Sequence, residues 1–327
     1  MIEGDDLALF ERSLAHATEA HTGAALDAEL AALGWLDALR HDPRAAIATL
    51  FTAQGAANAA SGALDLMLAE ALLDGGFDAL QTDAAASAVL LPRLGSGDPP
   101  AVLLGEQLRI EGLATAALDR HNTAIVAARL EREAVAVSID AGALSVRAVD
   151  GLDPALGLVE VSCAVVLTAG SVVEQVPWVD AVARGRLALA HELVGASRAM
   201  LELARAHALE RIQFGVPISS FQAVRHRLAE ALVAVESAEA AIDGAWLDGT
   251  PFTAAVAKAV AGRSARTVAR HAQQVLAGVG FTTEHPLHRH VRRVLVLDGL
   301  LGDTRTLTRA LGEELLATGT LPSLLPL

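Results

Sequence analysis

The residues with the most chemistry to offer lie at a break between two helical patterns. Over residues 207–222 the chain places Arg211, Gln213, Phe214, Phe221 and Gln222 around Gly215 and Pro217. A helix hairpin turns on glycine, proline and a cap alone, so a guanidinium, two amides and two rings exceed what the corner needs. A guanidinium fork pairs with phosphate or carboxylate, and an aromatic ring can cover another flat group. A second group follows at 274–286, with Gln274, Gly278, Gly280 and Phe281, and then Arg292 and Arg293. Glycine in such a turn lets backbone N–H groups approach an anion closely.

The elements that must position these groups are helices. Leu187, Ala190, Val194, Leu201, Ala204 and Ala208 recur at three to four residues, and so do Phe221, Val224, Leu228, Leu232, Val235, Ile242 and Trp246. The corner therefore joins an antiparallel pair, with Ser219 or Ser220 as the expected cap of the second helix. Helices are predicted over 183–211, 219–247, 251–276, 285–299 and 303–317, the fourth starting at Thr283-Glu284-His285-Pro286. Residues 1–92 carry the same period, with Leu7, Phe10, Leu14 and Ala17 first and Leu64, Met67, Leu68, Ala71 and Leu72 later. Asp42-Pro43 and Gly75-Gly76 mark breaks, and Gln54 and Asn58 read as packing or hydrogen-bonding residues. Pro92 to Pro100 is dense in proline and glycine and reads as a linker. Alternation then switches to period two, as in Val135, Val137 and Ile139, predicting strands. The expected organisation is an N-terminal helical domain (1–92), a reduced antiparallel β-domain (96–178) and a C-terminal helical domain (179–318), a mostly α fold.

Composition narrows the function. With 327 residues, 53% of them hydrophobic, the chain can bury a large core, and a net charge of −14 argues against a nucleic-acid surface. The longest uncharged apolar run, Val161 to Val173, falls short of the roughly 20 residues of a membrane span. The acidic start, Met1 to Asp6, lacks the pattern of a signal peptide, so the cytoplasm is the expected location. Cys163 is the single cysteine, which excludes a disulfide or cysteine-based metal site within the chain. His285 and His288 are spaced as metal ligands can be, but no third ligand accompanies them, and no metal is expected. Arg263, Arg266, Arg270, Arg289, Arg292 and Arg293 could hold a phosphate or simply form a solvated face. No Gly-x-Ser-x-Gly elbow supports a serine hydrolase.

Arg211-x-Gln-Phe-Gly-x-Pro-Ile followed by Phe221-Gln222, together with the Gln274 to Phe281 segment and Arg292-Arg293, resembles the C-terminal helical domain of flavin-dependent acyl-CoA dehydrogenases. The resemblance is firm over residues 180–316 and general before that. It implies FAD as cofactor and an acyl-CoA as substrate, with electron-transfer flavoprotein a further partner. In that family the corner and the second motif reach across a subunit interface to the neighbour's FAD. By resemblance Arg211, Gln213, Phe214, Phe221, Gln222, Gln274 and Gly278 would do so here, with Ala277 standing where the family has its first glycine.

The family removes an α-proton with a carboxylate while a β-hydride leaves to the flavin. One family position for that carboxylate falls on Leu301, before Gly302-Asp303, and the other near Gly185. Neither residue can take a proton. The family's Thr-Glu-Pro and Trp-Ile-Thr flavin-ring motifs are also missing, and Arg93 to Asp98 is a distant echo of the Gly-Ser-Asp tail. The pattern is similar to the degenerate subunit of actinobacterial heteromeric (α2β2) steroid-CoA dehydrogenases. It implies a subunit that completes the FAD site of a homologous partner without a base of its own. Two alternatives stay open: an interaction protein of the same fold, or a homomeric dehydrogenase with its base relocated to Asp298 or Asp303.

Overall fold

The computed structural model describes residues 4–73, 87–167 and 173–319, so the break expected at Gly75-Gly76 lies outside the described residues. The chain begins with α1 (Gly4–Ala20), α2 (Ala24–Ala32), α3 (Trp35–His41), α4 (Pro43–Ala57) and α5 (Ala63–Leu73). Helix α4 shows why the boundaries fall where they do. The Asp42 side chain accepts from the Ala45 amide, Pro43 opens the first turn, and Asn58 ends the helix in the left-handed region at φ 55°. Gln54 accepts from the Ser61 hydroxyl at 2.5 Å, the hydrogen-bonding role expected of it.

The sheet comprises β1 (Ser87–Val89), β2 (Ala101–Leu104), β3 (Gln107–Ala114), β4 (Thr123–Leu130), β5 (Glu133–Asp140), β6 (Ser145–Ala148), β7 (Val159–Val166) and β8 (Val173–Gln175). Its order is β6-β7-β3-β2-β4-β5-β8, with β1 also beside β4. Most pairings are antiparallel, but β1 and β2 each run parallel to β4. The sheet thus takes in Ser87–Val89, upstream of residue 96. Period-two alternation does the sorting on β4: Ile125 and Ala127 face the helical core, while Ala124, Val126 and Ala128 face a second core within the β-domain.

The C-terminal helices are α6 (Trp178–Glu210), α7 (Gln222–Asp248), α8 (Pro251–Leu276), α9 (Leu287–Gly299) and α10 (Thr304–Thr318). Helix α6 is the axis of the molecule and packs against α4, α5, α7, α8 and α9. Its crossing with α4 depends on missing side chains. A Cβ on Gly195 would lie 2.0 Å from the Thr52 carbonyl oxygen, and one on Gly55 would lie 2.0 Å from that of Glu192. The two helices therefore touch backbone to backbone, as small residues allow.

Two buried cations fix the packing, one between the sheet and the helices and the other within the C-terminal helices. Arg293 on α9 is 0% exposed and pairs with Asp153, from the β6–β7 connection, and with Glu192 of α6 at 3.3 Å. Its remaining N–H groups donate to the carbonyls of Ala59 and Asn58 at the end of α4. Burial pushes the Glu192 carboxyl up to about 7, against the pull of Arg293. Lys258 of α8, also 0% exposed, donates to the carbonyls of Asp298 at 2.9 Å and Gly302 at 3.4 Å, and so clamps the α9–α10 turn. Burial, with Arg186 nearby, lowers its ammonium to about 7.

Arg293→Met leaves Asp153 and Glu192 buried without their counter-ion, and urea denaturation should show a loss of about 3–5 kcal/mol. An unchanged midpoint would show that the cluster contributes nothing. Lys258 fixes a pH dependence, because the unfolded amine stays protonated up to 10.5 while the folded one releases its proton near 7. Folding therefore sheds a proton between those values. Stability should rise with pH across that window by at most about 1.4 kcal/mol per unit, and Lys258→Met should flatten the slope.

Candidate functional site

Helix α6 ends at Glu210, and Arg211 turns into extended backbone at φ −72° and ψ 115°. A two-residue hairpin follows, β9 (Ile212–Gln213) against β10 (Val216–Pro217), and the Ile218 amide donates to the Arg211 carbonyl at 2.8 Å to close it. Phe214 and Gly215 form its tip with φ of 54° and 80°. Both central residues left-handed is the geometry that matches the twist of a tight hairpin, and it is costly for an aromatic residue. That geometry holds the Phe214 ring 93% exposed, with Phe221 edge-on to it at 6.1 Å. Ser219 and Ser220 do not cap α7; they lie in a 3₁₀ turn, and Phe221 takes the cap position with no side-chain bond. Arg211, Gln213 and Gln222 are exposed, and none of their side chains makes a hydrogen bond or ion pair among the described residues.

Because α7 leads away from this corner and α8 returns, the second motif comes back to the same end of the bundle. The positive field of His207, in the last turn of α6, contributes to lowering the His285 imidazole, behind the larger effect of burial. Gln274 is exposed, and a Cβ on Gly278 would meet nothing within 4 Å. No contact among the described residues requires glycine there. Val279 is 47% and Phe281 73% exposed. The start of α9 differs from expectation. Neither Thr283 nor Glu284 caps it; instead the His285 ring nitrogen accepts from the Leu287 amide at 3.2 Å, while His288 contacts the His285 carbonyl at 2.7 Å. The described residues contain no group of three His, Cys, Asp or Glu able to hold a metal.

The two positions expected to lack a base prove to be one place. Leu301 is 1% exposed, and a Cβ on Gly185 would lie 2.4 Å from its Cδ1, with Leu68 Cδ2 at 3.3 Å. Leucine thus fills the room that a larger residue at 185 would occupy. Asp298 and Asp303 are both engaged elsewhere. Asp298 is 1% exposed, pairs with Arg266 and accepts from the Thr304 hydroxyl at 2.5 Å, and Asp303 caps α10 through the amides of Arg305 and Thr306. The segment expected as a linker is packed over the same spot. Gly95 donates to the Gly299 carbonyl at 2.7 Å, Trp178 donates its indole N–H to the Gly97 carbonyl at 2.9 Å, and Arg186 donates to the Leu301 carbonyl at 3.0 Å. Sequence periodicity does not reveal this closure, since Leu68, Gly97, Gly185 and Leu301 come from four distant stretches. Nor do the six C-terminal arginines form one anion cradle: Arg293 is buried in its acid cluster and Arg266 is taken by Asp298.

The departure at Ala277 leaves a measurable trace. Its φ of 51° and ψ of −132° belong to a region that glycine alone adopts freely. Ala277→Gly should raise unfolding stability by about 1 kcal/mol, net of the entropy glycine adds to the unfolded chain. A lowered denaturation midpoint would show that this turn carries no strain.

Residues 179–316 match the acyl-CoA dehydrogenase C-terminal domain. Acyl-CoA dehydrogenase IpdE2 of Mycobacterium tuberculosis (strain ATCC 25618 / H37Rv) is 36% identical over 126 residues, which is 38% of this chain and 40% of that protein. The sequence match thus spans about two fifths of the relative's length. Among solved structures, the Tcur3481-Tcur3483 steroid ACAD G363A variant superposes with a TM-score of 0.78 at 21% identity, over 97% of this chain and 99% of that one. The ChsE4-ChsE5 complex from Mycobacterium tuberculosis gives 0.71 at 23% identity, over 97% and 89%. Acyl-CoA dehydrogenases are FAD-binding flavoproteins. The chain shares the acyl-CoA dehydrogenase fold over 97% of its length, and its C-terminal helices match that family's C-terminal domain.

Proposed function

We propose that this chain is the non-catalytic subunit of a heteromeric acyl-CoA dehydrogenase, and that its corner completes the FAD site of a homologous partner. The observation that carries the reading is a separation. Arg211 lies 26 residues beyond Gly185 on one unbroken helix, about 39 Å at ~1.5 Å per residue. Groups so far from the chain's own base position serve a dinucleotide seated on another chain. Their exposure suits that use. Arg211 would pair with the pyrophosphate, Gly278 would present backbone N–H groups to it, and Phe214 and Phe221 would cover the adenine. Gln213, Gln222 and Gln274 supply amide donors and acceptors around the same group. FAD, when bound, accepts a hydride from the β-carbon of the acyl-CoA.

The chain's own centre has the opposite character. Among the described residues the atoms nearest a side chain at Gly185 are the hydrocarbon of Leu301 and Leu68, and neither residue can take an α-proton. The partner would supply the base, in an α2β2 assembly. Electron-transfer flavoprotein is the expected electron acceptor, and a steroid side-chain thioester the substrate class suggested by the heteromeric structures. An interaction protein of the same fold, binding neither FAD nor acyl-CoA, is the reading that the test must separate.

Co-expression with a homologous dehydrogenase subunit should give a yellow complex, while the chain alone purifies colourless. Arg211→Ala in that complex should weaken FAD about 10- to 100-fold, the worth of a charge-assisted hydrogen bond of roughly 1.5–3 kcal/mol. Flavin content and turnover unchanged in the Arg211→Ala complex would favour the interaction protein. Stoichiometric flavin and acyl-CoA oxidation by this chain alone would overturn the proposal.

A further inference from the structure

The chain carries a net charge of −14, yet between Asp248 and Glu284 it has no acidic residue. Helix α8 fills most of that stretch. Lys258 is buried in it, while Arg263, Arg266 and Arg270 are exposed. Three and four residues apart, these guanidiniums share one face of the helix, and Gln274 continues that face toward the turn at Gly278. Arg266 is met by Asp298 of α9. Arg263 and Arg270 have no hydrogen bond or ion pair among the described residues. Other helices set acids beside such residues: Arg198 of α6 reaches Glu236 and Glu239 of α7, Arg205 lies against Glu202, and Arg309 of α10 stands one turn from Glu313. On α8 like charges stand one turn apart instead, which destabilises a helix left in water.

Exposed apolar side chains accompany this face, Val279 and Phe281 beyond its end and Leu295 one turn before Asp298 on α9. Arginine and apolar groups without exposed lysine or acid are what contact surfaces favour. The charge also selects the occupant. Two identical chains closing on each other through this face would set α8 against α8, because a two-fold contact pairs a patch with itself. Arg263 and Arg270 would then meet arginines, with no acid on the helix to relieve them. We propose that the arginine face of α8 docks an acidic surface of the homologous partner chain and turns away a second copy of this one. The inference rests on the heteromeric reading above and deepens it, since Gln274 and Gly278 at the end of the same helix make the contact continuous with the corner assigned to the partner's FAD.

The test uses the yellow complex formed with the homologous subunit, its assembly followed by sedimentation between about 0.05 and 0.5 M NaCl, since exposed charge pairs are screened as salt rises. Arg263→Glu together with Arg270→Glu should weaken assembly at least about 10-fold at low salt and flatten its salt dependence. Arg263→Ala with Arg270→Ala should act in the same direction by less, and serves if the reversed chain does not fold. Any dimer that the wild-type chain forms alone should survive the double reversal. A reversed chain that joins its partner as tightly as wild type, with flavin in place, would overturn the docking surface and leave the heteromeric reading standing. A wild-type self-dimer lost on reversal would overturn it as well. If no homologous subunit yields a yellow complex, the heteromeric reading fails first and this inference falls with it.

Discussion

Arg293 holds a full charge at 0% exposure, and three parts of the molecule are arranged to meet it. Asp153 comes from the β-domain, Glu192 from the central helix and two carbonyls from the end of α4. A desolvated guanidinium is tolerable only when its donors are all engaged, so each of these segments must be in place for the others to be stable. A polar cluster of this kind sets the relative positions of domains more sharply than apolar packing, which is nearly non-directional. The bare contact of Gly195 and Gly55 with facing backbone sharpens it further, because neither helix can slide without meeting a carbonyl.

From that arrangement the two ends of α6 acquire opposite characters. Its N-terminal half is buried, with Gly185 against Leu301 and Leu68, and the former linker segment closed over them. Its C-terminal end projects Arg211 and a nearly naked Phe214 into solvent. Strain follows the same division: the positive φ values of Phe214 and Ala277 fall in the two exposed turns, where side-chain direction matters more than backbone ease.

Leu301 is also held at a positive φ, 54°, but in the interior. There the surrounding contacts dictate the conformation: Arg186 holds its carbonyl, and Lys258 holds that of Gly302 beyond it. The buried lysine is thus a structural clamp, supplying donors where a turn between two helices would otherwise leave carbonyls unmet.

Much of this could be read from the residues. Helical periodicity located α6 to α10 within a few residues, since a buried face repeats every three to four positions whatever it packs against, and the Arg211 and Gln274 motifs lie in the stretch that matches the acyl-CoA dehydrogenase C-terminal domain. Local signals did less well where a neighbour decided the outcome. Ser219 and Ser220 looked like caps yet sit in a 3₁₀ turn, and Pro92 to Pro100 looked like a linker yet binds Trp178 and Gly299. That Leu301 and Gly185 are one location and that Arg293 is a buried tie and not a phosphate ligand were decided by tertiary structure alone. Each is a meeting of residues far apart in the chain. Sequence determines what a segment prefers; only packing determines which distant group stands opposite it, and charge, burial and accessible space are properties of that pair.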